Sequence, residues 1–509
     1  MRRSIMLLAT VSVLAFGAPA QAATFIFSGG NYVPGTTSPT PLLAPDVLNI
    51  TTAASKNFNA VSFTNQSGSV NWQAGDIFLT SSAAVSNQSL WNITGNNTLG
   101  NGGGTISTFT NGGIFRKNAG TGDTTIGGTF NFVNNGTIDA QTGRIVFAAF
   151  GGLATFNAGS VFTGAGEVAV NAATAFNGGF TSSNLVFANS TFTGTNAALT
   201  GTADWEGGTM AGTWNVNAGS SIDVTTTASK SINAATLTNN GTINWQSGNI
   251  FLFSGSALNN NGTIDAQGND TIGFGGGTPS TFTNNGLIQK SAGSGTTTLA
   301  GGAPGLVALD NNGTINVLSG TIALPSAFGN DGTLGGTGTF TSTNLTNNGF
   351  IAPGATGATG TLSLTGNYLQ SSTGAFNAQL ASTGAFDVFN ISGTAGLNGA
   401  LALSCILSCA INSGDSFVLL NSVGNLSGTF SSVTTTGFLS GFTYNVIYDY
   451  AADLVRLDVI NAGMVTPPPP PPPTGAVPES STWLMMIFGF GLVGAITRRR
   501  NATRAAALV

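Results

Sequence analysis

The sequence predicts an all-β chain whose body is a right-handed parallel β-helix, or β-solenoid. Three observations predict this fold class. Uncharged polar residues alternate with apolar ones over short stretches, as in strands that have one buried face. A glycine-containing corner recurs at a loose period near twenty residues, which indicates stacked coils. Charged residues make up only 6% of the chain, and the body lacks the charged amphipathic runs of surface helices.

The recurring corner reads Asn-Asn-Gly-Thr-Ile or a near variant of it. Asn and Gly tolerate left-handed backbone geometry, so we expect each motif to make a sharp corner before a new strand. The Asn side chains of successive corners are expected to stack and to hydrogen-bond along the axis. The glycines of the motif are Gly136, Gly241, Gly262, Gly286, Gly313, Gly332 and Gly349.

A longer repeat lies above the short one and indicates that a block of several coils was duplicated. The matched segments lie 174 residues apart at first and 173 afterwards. We therefore expect Trp72 and Trp245, and likewise Lys117 and Lys290, to occupy equivalent places in two coils. The matches are Thr51–Asn65 with Thr225–Asn239, Ser69–Leu79 with Thr242–Leu252, and Ser107–Gly120 with Ser280–Gly293.

The first 22 residues have the pattern of a secretory signal peptide. Arg2 and Arg3 form a basic start, an apolar run follows over 5–16, and Ala20 and Ala22 are the small residues that a signal peptidase reads. We expect a signal helix that is removed, a mature chain that begins near Ala23, and export through the inner membrane. The alternative is an uncleaved membrane anchor.

The other end of the chain predicts a spacer followed by a membrane segment. A run of prolines, Pro467–Pro473, lies within a linker at 463–477 and predicts a stiff extended spacer. The apolar segment 483–496 predicts a single transmembrane sorting helix within 478–502. A Trp at one interface and three arginines at the other suit that placement. The segment is short for a membrane span, which favours a transient anchor.

This tail resembles the PEP-CTERM sorting signal of Gram-negative bacteria, which has a Pro-Glu-Pro motif, an apolar helix and a basic end. The resemblance implies recognition by an exosortase-type processing enzyme and a host that makes extracellular polysaccharide. Ser480 stands where the family has its second proline, so both cleavage and a plain single-span anchor remain open. The matching residues are Val477, Pro478, Glu479, Ser480, Trp483, Arg498, Arg499 and Arg500.

The region after Asn344 resembles the late passenger region of autotransporters. The similarity is carried by NNGFIAPG, by GTLSLTGNY and by the segment SGTAGLNGALALS. It implies a right-handed β-helix that ends in a capping region. Together with the repeats, it divides the body into a β-helix repeat region at 23–350 and a β capping region at 351–462.

Composition excludes several functional classes. The body between the two ends keeps seven Lys and Arg against seventeen Asp and Glu, a net charge of 7 − 17 = −10, which argues against a nucleic-acid partner. The chain contains no His, which excludes Ser-His-Asp and Cys-His catalysis and His-based metal sites. We therefore predict no cofactor and no metal.

Cys405 and Cys409 are the two cysteines of the chain. Residues four apart on a straight strand are about 13 Å apart, so a bond between them needs a turn. The exported context permits a disulfide, and two free buried thiols are the alternative.

Asp204 and Glu206 are the weak catalytic candidates. On a strand they would share one face, about 6–7 Å apart, with Trp205 between them. The alternative is a solvated strand edge. Asp265 and Asp270 are predicted to be corner residues. The body tryptophans, which serve either as core or as sugar platforms, are Trp72, Trp91, Trp205, Trp214 and Trp245.

The function predicted from these features is that of a noncatalytic, exported surface protein. We expect an elongated rod at the cell surface, the outer envelope or the extracellular matrix, with a structural or adhesive role and contact with exopolysaccharide. The inner membrane is a transient partner through the tail. The alternatives are a β-helix polysaccharide lyase or hydrolase and a structural spacer that binds no ligand.

Overall fold

A computed structural model of the chain describes residues 21–355, 357–464 and 484–493. Its body is a parallel β-solenoid in which each coil contributes short strands to three faces, and this confirms the predicted all-β fold class. The pairings are parallel throughout the stack except near its C-terminal end. The predicted right hand of the coil stays a prediction.

Strands are short because a corner follows every few residues. The first part of the body contains β1 (Thr24–Phe27), β2 (Gly30–Asn31), β3 (Val47–Ile50), β4 (Lys56–Asn59), β5 (Ser62–Asn65), β6 (Ser69–Trp72), β7 (Ile77–Thr80), β8 (Ala84–Asn87), β9 (Leu90–Ile93), β10 (Thr98–Gly103), β11 (Ser107–Asn111), β12 (Ile114–Lys117), β13 (Asp123–Gly128), β14 (Phe130–Asn134), β15 (Thr137–Ala140), β16 (Arg144–Phe150), β17 (Ala154–Phe156), β18 (Val161–Thr163) and β19 (Glu167–Asn171).

Several strands in the middle of the chain are longer because they continue around a corner from one face to the next. The middle part contains β20 (Thr174–Phe187), β21 (Thr191–Trp205), β22 (Gly208–Val216), β23 (Ser221–Val224), β24 (Lys230–Asn239), β25 (Thr242–Trp245), β26 (Ile250–Phe253), β27 (Ala257–Asn260), β28 (Thr263–Ala266), β29 (Thr271–Gly276), β30 (Ser280–Asn284), β31 (Leu287–Lys290), β32 (Thr296–Gly301), β33 (Val307–Asn311), β34 (Thr314–Val317) and β35 (Thr321–Ala323).

The last part of the body closes the solenoid. It contains β36 (Ala327–Asn330), β37 (Thr333–Gly336), β38 (Thr339–Asn347), β39 (Phe350–Pro353), β40 (Thr361–Gln370), β41 (Ala375–Ser382), β42 (Ala385–Phe386), β43 (Val388–Ile391), β44 (Ala395–Leu397), β45 (Ala400–Ala410), β46 (Ser416–Ser422), β47 (Leu426–Gly428), β48 (Ser432–Thr436), β49 (Ser440–Asp449) and β50 (Leu454–Met464). One short helix, α1, spans 484–493.

The chain visits the three faces in a fixed order. Face 1 begins with β1, β3, β6, β9, β12, β15 and β18. Face 2 begins with β2, β4, β7, β10, β13, β16 and β19 and continues through β23, β25, β28, β31, β34, β37 and β39. Face 3 begins with β5, β8, β11, β14 and β17. Strands of one face pair in register, so each position forms a column along the axis.

The inward columns form the hydrophobic core. On face 1, Leu48, Val70, Trp91, Phe115 and Ile138 follow one another in consecutive strands and are all fully buried. Aromatic rings make part of this column continuous, because ring centroids of successive coils lie about 5–6 Å apart, as between Phe109 and Phe132 at 5.4 Å. Apolar burial along every inward column therefore holds neighbouring coils together.

Buried asparagines form two ladders along the axis. Each side-chain amide donates from Nδ2 to Oδ1 of the next Asn at 2.7–2.8 Å, and every rung is fully buried. The predicted axial hydrogen bonding of corner asparagines is confirmed. The first ladder is Asn65, Asn87, Asn111 and Asn134, and the second is Asn239, Asn260, Asn284, Asn311, Asn330 and Asn347.

The glycines of the corner motif are required for a reason other than the predicted one. None of the seven has a positive φ, so the expectation of left-handed corners at these glycines was wrong. Instead, a Cβ atom on each would lie 2.1–2.2 Å from a carbonyl oxygen of the preceding coil. From Gly262 to Gly349 that oxygen belongs to the preceding glycine of the motif. Close approach of one coil to the next therefore selects glycine.

The duplicated blocks keep their local contacts but lie on different faces. Trp72 and Trp245 each donate from Nε1 to a glycine carbonyl three residues on, at 2.6 and 2.7 Å. Yet β6, which contains Trp72, lies on face 1, and β25, which contains Trp245, lies on face 2. The predicted equivalence holds for the coil corner, and the face differs because the block length is not a whole number of turns.

The number of turns between the blocks follows from the strand pairing. Moving up face 1 from β6, the chain passes β9, β12, β15, β18, β20, β21, β22 and β24, which are eight steps, and β25 is the next strand along the chain. Equivalent strands are therefore separated by eight turns plus one face. At about 4.8 Å per coil this is about 40 Å along the axis.

Parallel coils continue past residue 350, so the predicted capping region 351–462 begins with further turns of the same solenoid. The end is closed by β50, which pairs antiparallel with β46 and with β49. Cys405 and Cys409 are joined in a disulfide with Cα atoms 5.4 Å apart. The turn that such a bond needs is made at Leu407, whose φ is +54°.

The predicted terminal helices need correction. Among the described residues, no helix is long and apolar enough to cross a membrane. The predicted C-terminal transmembrane helix is therefore not supported, because α1 at 484–493 extends only about 15 Å at 1.5 Å per residue. The predicted signal helix is not supported either, and residues 1–20 lie outside the described part of the chain.

Replacing Gly286 with alanine should destabilise the solenoid strongly. The new Cβ would lie 2.2 Å from the Gly262 carbonyl oxygen, so two coils would have to separate locally. We expect a loss of about 3 kcal/mol in the free energy of unfolding, measured by urea denaturation. The matched control is Gly329→Ala, since a Cβ at Gly329 meets nothing within 4 Å. Equal midpoints for the two variants would contradict this explanation.

Candidate functional site

The strongest candidate for a binding surface is a regular polar strip on the outside of face 2. It consists of two parallel columns, and we term it the face-2 strip. The hydroxyl column contains Thr202, Ser221, Thr242, Thr263, Thr314 and Thr333, interrupted by Leu287. The acceptor column contains Asp204, Asp223, Asn244, Asp265, Gln289 and Asn316.

The strip exists because each strand alternates outward polar and inward apolar residues. In β25, Thr242 and Asn244 point outward while Ile243 and Trp245 are buried. Groups within one column repeat every coil, about 4.8 Å apart, and the two columns lie about 6.6–6.8 Å apart across the strand. The result is a flat lattice of donors and acceptors with fixed spacings.

Hydrogen bonds within the acceptor column hold its side chains in place. Asn244 Nδ2 donates to Asp223 Oδ1 at 2.6 Å, and Gln289 Nε2 donates to Asp265 Oδ1 at 3.2 Å. Gln267, at the neighbouring corner, donates to the other oxygen of Asp265 at 2.9 Å. Asp265 therefore lies within β28 in this column, and the prediction that it is a corner residue was wrong. Asp270 lies in the corner before β29, as predicted.

Asp204, a predicted catalytic candidate, lies at one end of the acceptor column. Burial raises the pKa of its carboxyl group, and the nearby negative charges of Asp223, Glu206 and Glu167 raise it further. Its cross-strand neighbour is Asp223 of the next coil. The sequence did not indicate this partner, because the two residues are nineteen positions apart and only the coil length brings them together.

Glu206, the second candidate, follows the end of β21 rather than lying within the strand. Its backbone N–H donates to the Phe187 carbonyl at 2.9 Å. Trp205, between the two carboxylates, is buried and donates from Nε1 to the Gly207 carbonyl at 3.0 Å, so it cannot stack on a sugar. All five body tryptophans are buried, so they fill the core and the sugar-platform interpretation was wrong.

An exposed aromatic side chain does lie on this face, at a place that sequence reasoning missed. Phe350 of β39 continues the hydroxyl column directly after Thr333, and 47% of it is exposed. The signal was present in the motif, since Phe350 follows Gly349 where other repeats have Thr or Leu. An exposed ring in line with hydroxyl groups offers a face on which a sugar can stack.

The basic residues of the described solenoid are all engaged within the protein. The arginines form ion pairs, namely Arg116 with Asp139 at 2.6 Å, Arg144 with Asp123 at 3.0 Å, and Arg456 with Asp458 at 2.8 Å. The lysines are fully buried, and they are Lys56, Lys117, Lys230 and Lys290. The described surface therefore presents carboxylates and neutral polar groups without an unpaired cation.

Each buried lysine ties corner carbonyls of its own and neighbouring coils. Lys117 Nζ donates to the Gly95 carbonyl at 2.8 Å, and Lys290 Nζ donates to the equivalent Gly268 carbonyl at 2.6 Å. Lys230 Nζ donates to the carbonyl oxygens of Thr226 and Ser247. Burial lowers the pKa of all four lysines, and it lowers that of Lys230 to about 8.

Asp387 is a second buried ionisable group outside the strip. Its carboxylate oxygens accept backbone N–H bonds from Gly360 at 2.8 Å and from Gln379 at 2.9 Å. Burial raises the pKa of this carboxyl group to about 7, although both hydrogen bonds act to lower it. The contacts link two loops near the C-terminal end of the solenoid, which is a structural role.

The remaining predicted site residues divide between described and undescribed parts of the chain. Ala22 is described and exposed, directly before the body. Ala20 and the whole sorting motif, from Val477 to Ser480 together with Trp483 and Arg498–Arg500, lie outside the described residues. Within the described ranges, no group of three or more His, Cys, Asp or Glu side chains is placed to hold a metal ion.

Comparison with known proteins adds no assignment to this geometry. No protein-family model matches the chain, and no curated protein matches its sequence.

Lys230→Met should change how stability depends on pH. The folded-state pKa of about 8 is below the usual 10.5, so between these values the unfolded chain binds more protons than the folded one. The stability of the wild-type protein should therefore rise from pH 8 to 10 by up to about 1.4 kcal/mol per pH unit from this group. Urea unfolding at several pH values should show a shallower rise for Lys230→Met. Parallel curves would contradict the buried-ammonium account.

Proposed function

We propose that this protein is an exported, noncatalytic β-solenoid that binds a neutral exopolysaccharide along the face-2 strip. The observation that carries the proposal is the strip itself, a flat lattice of hydroxyl, amide and carboxylate groups repeated coil after coil. A polysaccharide is the partner whose own hydroxyl groups repeat at comparable short intervals. A parallel β-solenoid also suits a structural or surface protein.

Charge supports a neutral rather than an acidic glycan. The acceptor column contains the carboxylates Asp204, Asp223 and Asp265, and the described lysines and arginines are buried or ion-paired. An anionic polymer would meet carboxylates without a compensating cation. Sugar hydroxyl groups, in contrast, can donate to these carboxylates and to the amide oxygens beside them.

Each contact on such a surface is weak, so affinity would come from their number. A polymer lying along the strip would meet one pair of groups per coil, and each further contact would form without a new loss of translational freedom. Phe350 would add a stacking contact at one end of the strip. The rigidity of the solenoid keeps the spacings fixed, which reduces the ordering cost of binding.

Export, the cell-surface location and tail processing are parts of the same proposal. They rest on the signal-peptide pattern before Ala23 and on the resemblance of the tail to PEP-CTERM signals. The processing partners in this account are a signal peptidase and an exosortase-type enzyme, with transient residence in the inner membrane. A surface location would place the strip where secreted polysaccharide is present.

A second candidate function is cleavage of the polysaccharide. It is favoured by the raised pKa of Asp204 beside the carboxylates of Asp223 and Glu206, because a general acid needs a carboxyl group that stays protonated. Incubation of the full-length protein with bound glycan distinguishes the two functions. New reducing ends that disappear in Asp204→Asn would establish the enzyme in place of the binding protein.

Phe350→Ala should weaken binding to a neutral polysaccharide without affecting the fold. The ring is exposed, so its loss removes a stacking contact and leaves the core unchanged. We expect the full-length protein to bind at least one neutral glycan on an array and the variant to bind about five- to tenfold more weakly.

The matched control for this measurement is Leu153→Ala, which removes an exposed apolar side chain away from face 2. The control should bind like the wild type. Preference for acidic glycans would contradict the charge argument. Absence of binding to every neutral glycan would leave the ligand-free spacer as the function.

A further inference from the structure

A second polar strip occupies the outside of face 1 in the first half of the chain. Its central column is Asn49, Asn71 and Asn92, which are cross-strand neighbours in consecutive coils. Asn71 Nδ2 donates to Asn49 Oδ1 at 3.1 Å, and Asn92 Nδ2 donates to Asn71 Oδ1 at 3.5 Å. We term this column the face-1 strip.

The two strips are copies of one another through the block duplication. Asn71 and Asn244 hold the same place in the matched segments Ser69–Leu79 and Thr242–Leu252, one residue before a buried Trp. Asn92 likewise corresponds to Asp265, at the same offset of 173 residues. Both columns contain side-chain amides linked by hydrogen bonds along the axis.

The copies cannot serve a single straight polymer chain. β6 and β25 are separated by eight turns plus one face, so their strips look outward from neighbouring faces of the prism. Their centres lie about 40 Å apart along the axis. A glycan that follows one strip along the axis therefore leaves the other strip free.

We propose that the two strips bind two separate chains of the same neutral polysaccharide, so that one molecule cross-links them. This inference rests on the proposed function, since it assigns to both copies the chemistry argued for the face-2 strip. The cross-linking follows from the geometry, because a duplication by a whole number of turns would have produced one longer strip. Arg116, next in the face-1 column, is neutralised by Asp139 and does not favour an anionic chain.

A bridging assay with the full-length protein tests the inference. The protein is bound to a surface coated with the neutral glycan selected on the array, and capture of the same glycan in fluorescent form is then measured. The wild type should capture the labelled chain. Asn71→Ala/Asn92→Ala and Asn244→Ala/Thr263→Ala should each still bind the coated surface and should capture at least tenfold less labelled glycan.

The control variant is Thr281→Ala, which lies on face 1 in the second half of the chain, outside both strips. It should bridge like the wild type, and urea midpoints should show that all variants are folded. A wild type that binds the surface and captures no labelled glycan would overturn cross-linking while the binding function stands. Unchanged bridging by either double variant would also overturn it. Loss of surface binding in the wild type would remove both proposals.

Discussion

The hydrogen bond between one buried corner asparagine and the next is the interaction on which the rest of the structure depends. At 2.7–2.8 Å, each amide satisfies the one above it, and most amides also donate to a backbone carbonyl of the next strand or coil. A buried amide without such partners would cost about 1–3 kcal/mol, so each coil requires its neighbour at a fixed height and register. The apolar columns add attraction, whereas the ladder specifies alignment, which in turn makes the outer strips regular.

The same axial requirement explains the unusual composition. Close stacking leaves no room for a side chain where Gly286 meets the Gly262 carbonyl, so glycine recurs at each corner of the motif. The few cations are used inside the protein, where Lys117 and Lys290 tie carbonyls at equivalent corners. A surface free of unpaired positive charge results, and it is this surface that favours a neutral partner.

Sequence reasoning reached the solenoid because alternation and period are local signals. The buried Trp72 and Trp245, the stacked asparagines and the paired contacts of the duplicated blocks all follow from such signals. What it missed depends on exact coil length. The pairing of Asp204 with Asp223, the position of Phe350 beyond Thr333 and the shift of the second block to another face require the number of residues in every intervening coil. Coils here vary from 17 to 27 residues, so no fixed period predicts these neighbours.

The central claim is that buried asparagines couple one coil to the next, and a double-mutant cycle tests it most directly. Asn260→Ala, Asn284→Ala and the double variant are compared by urea unfolding, with the exposed pair Asn261 and Asn285 as control. The account predicts a coupling energy of about 1 kcal/mol or more for the buried pair and a value near zero for the exposed pair. A buried pair that couples no more strongly than the exposed pair would contradict it.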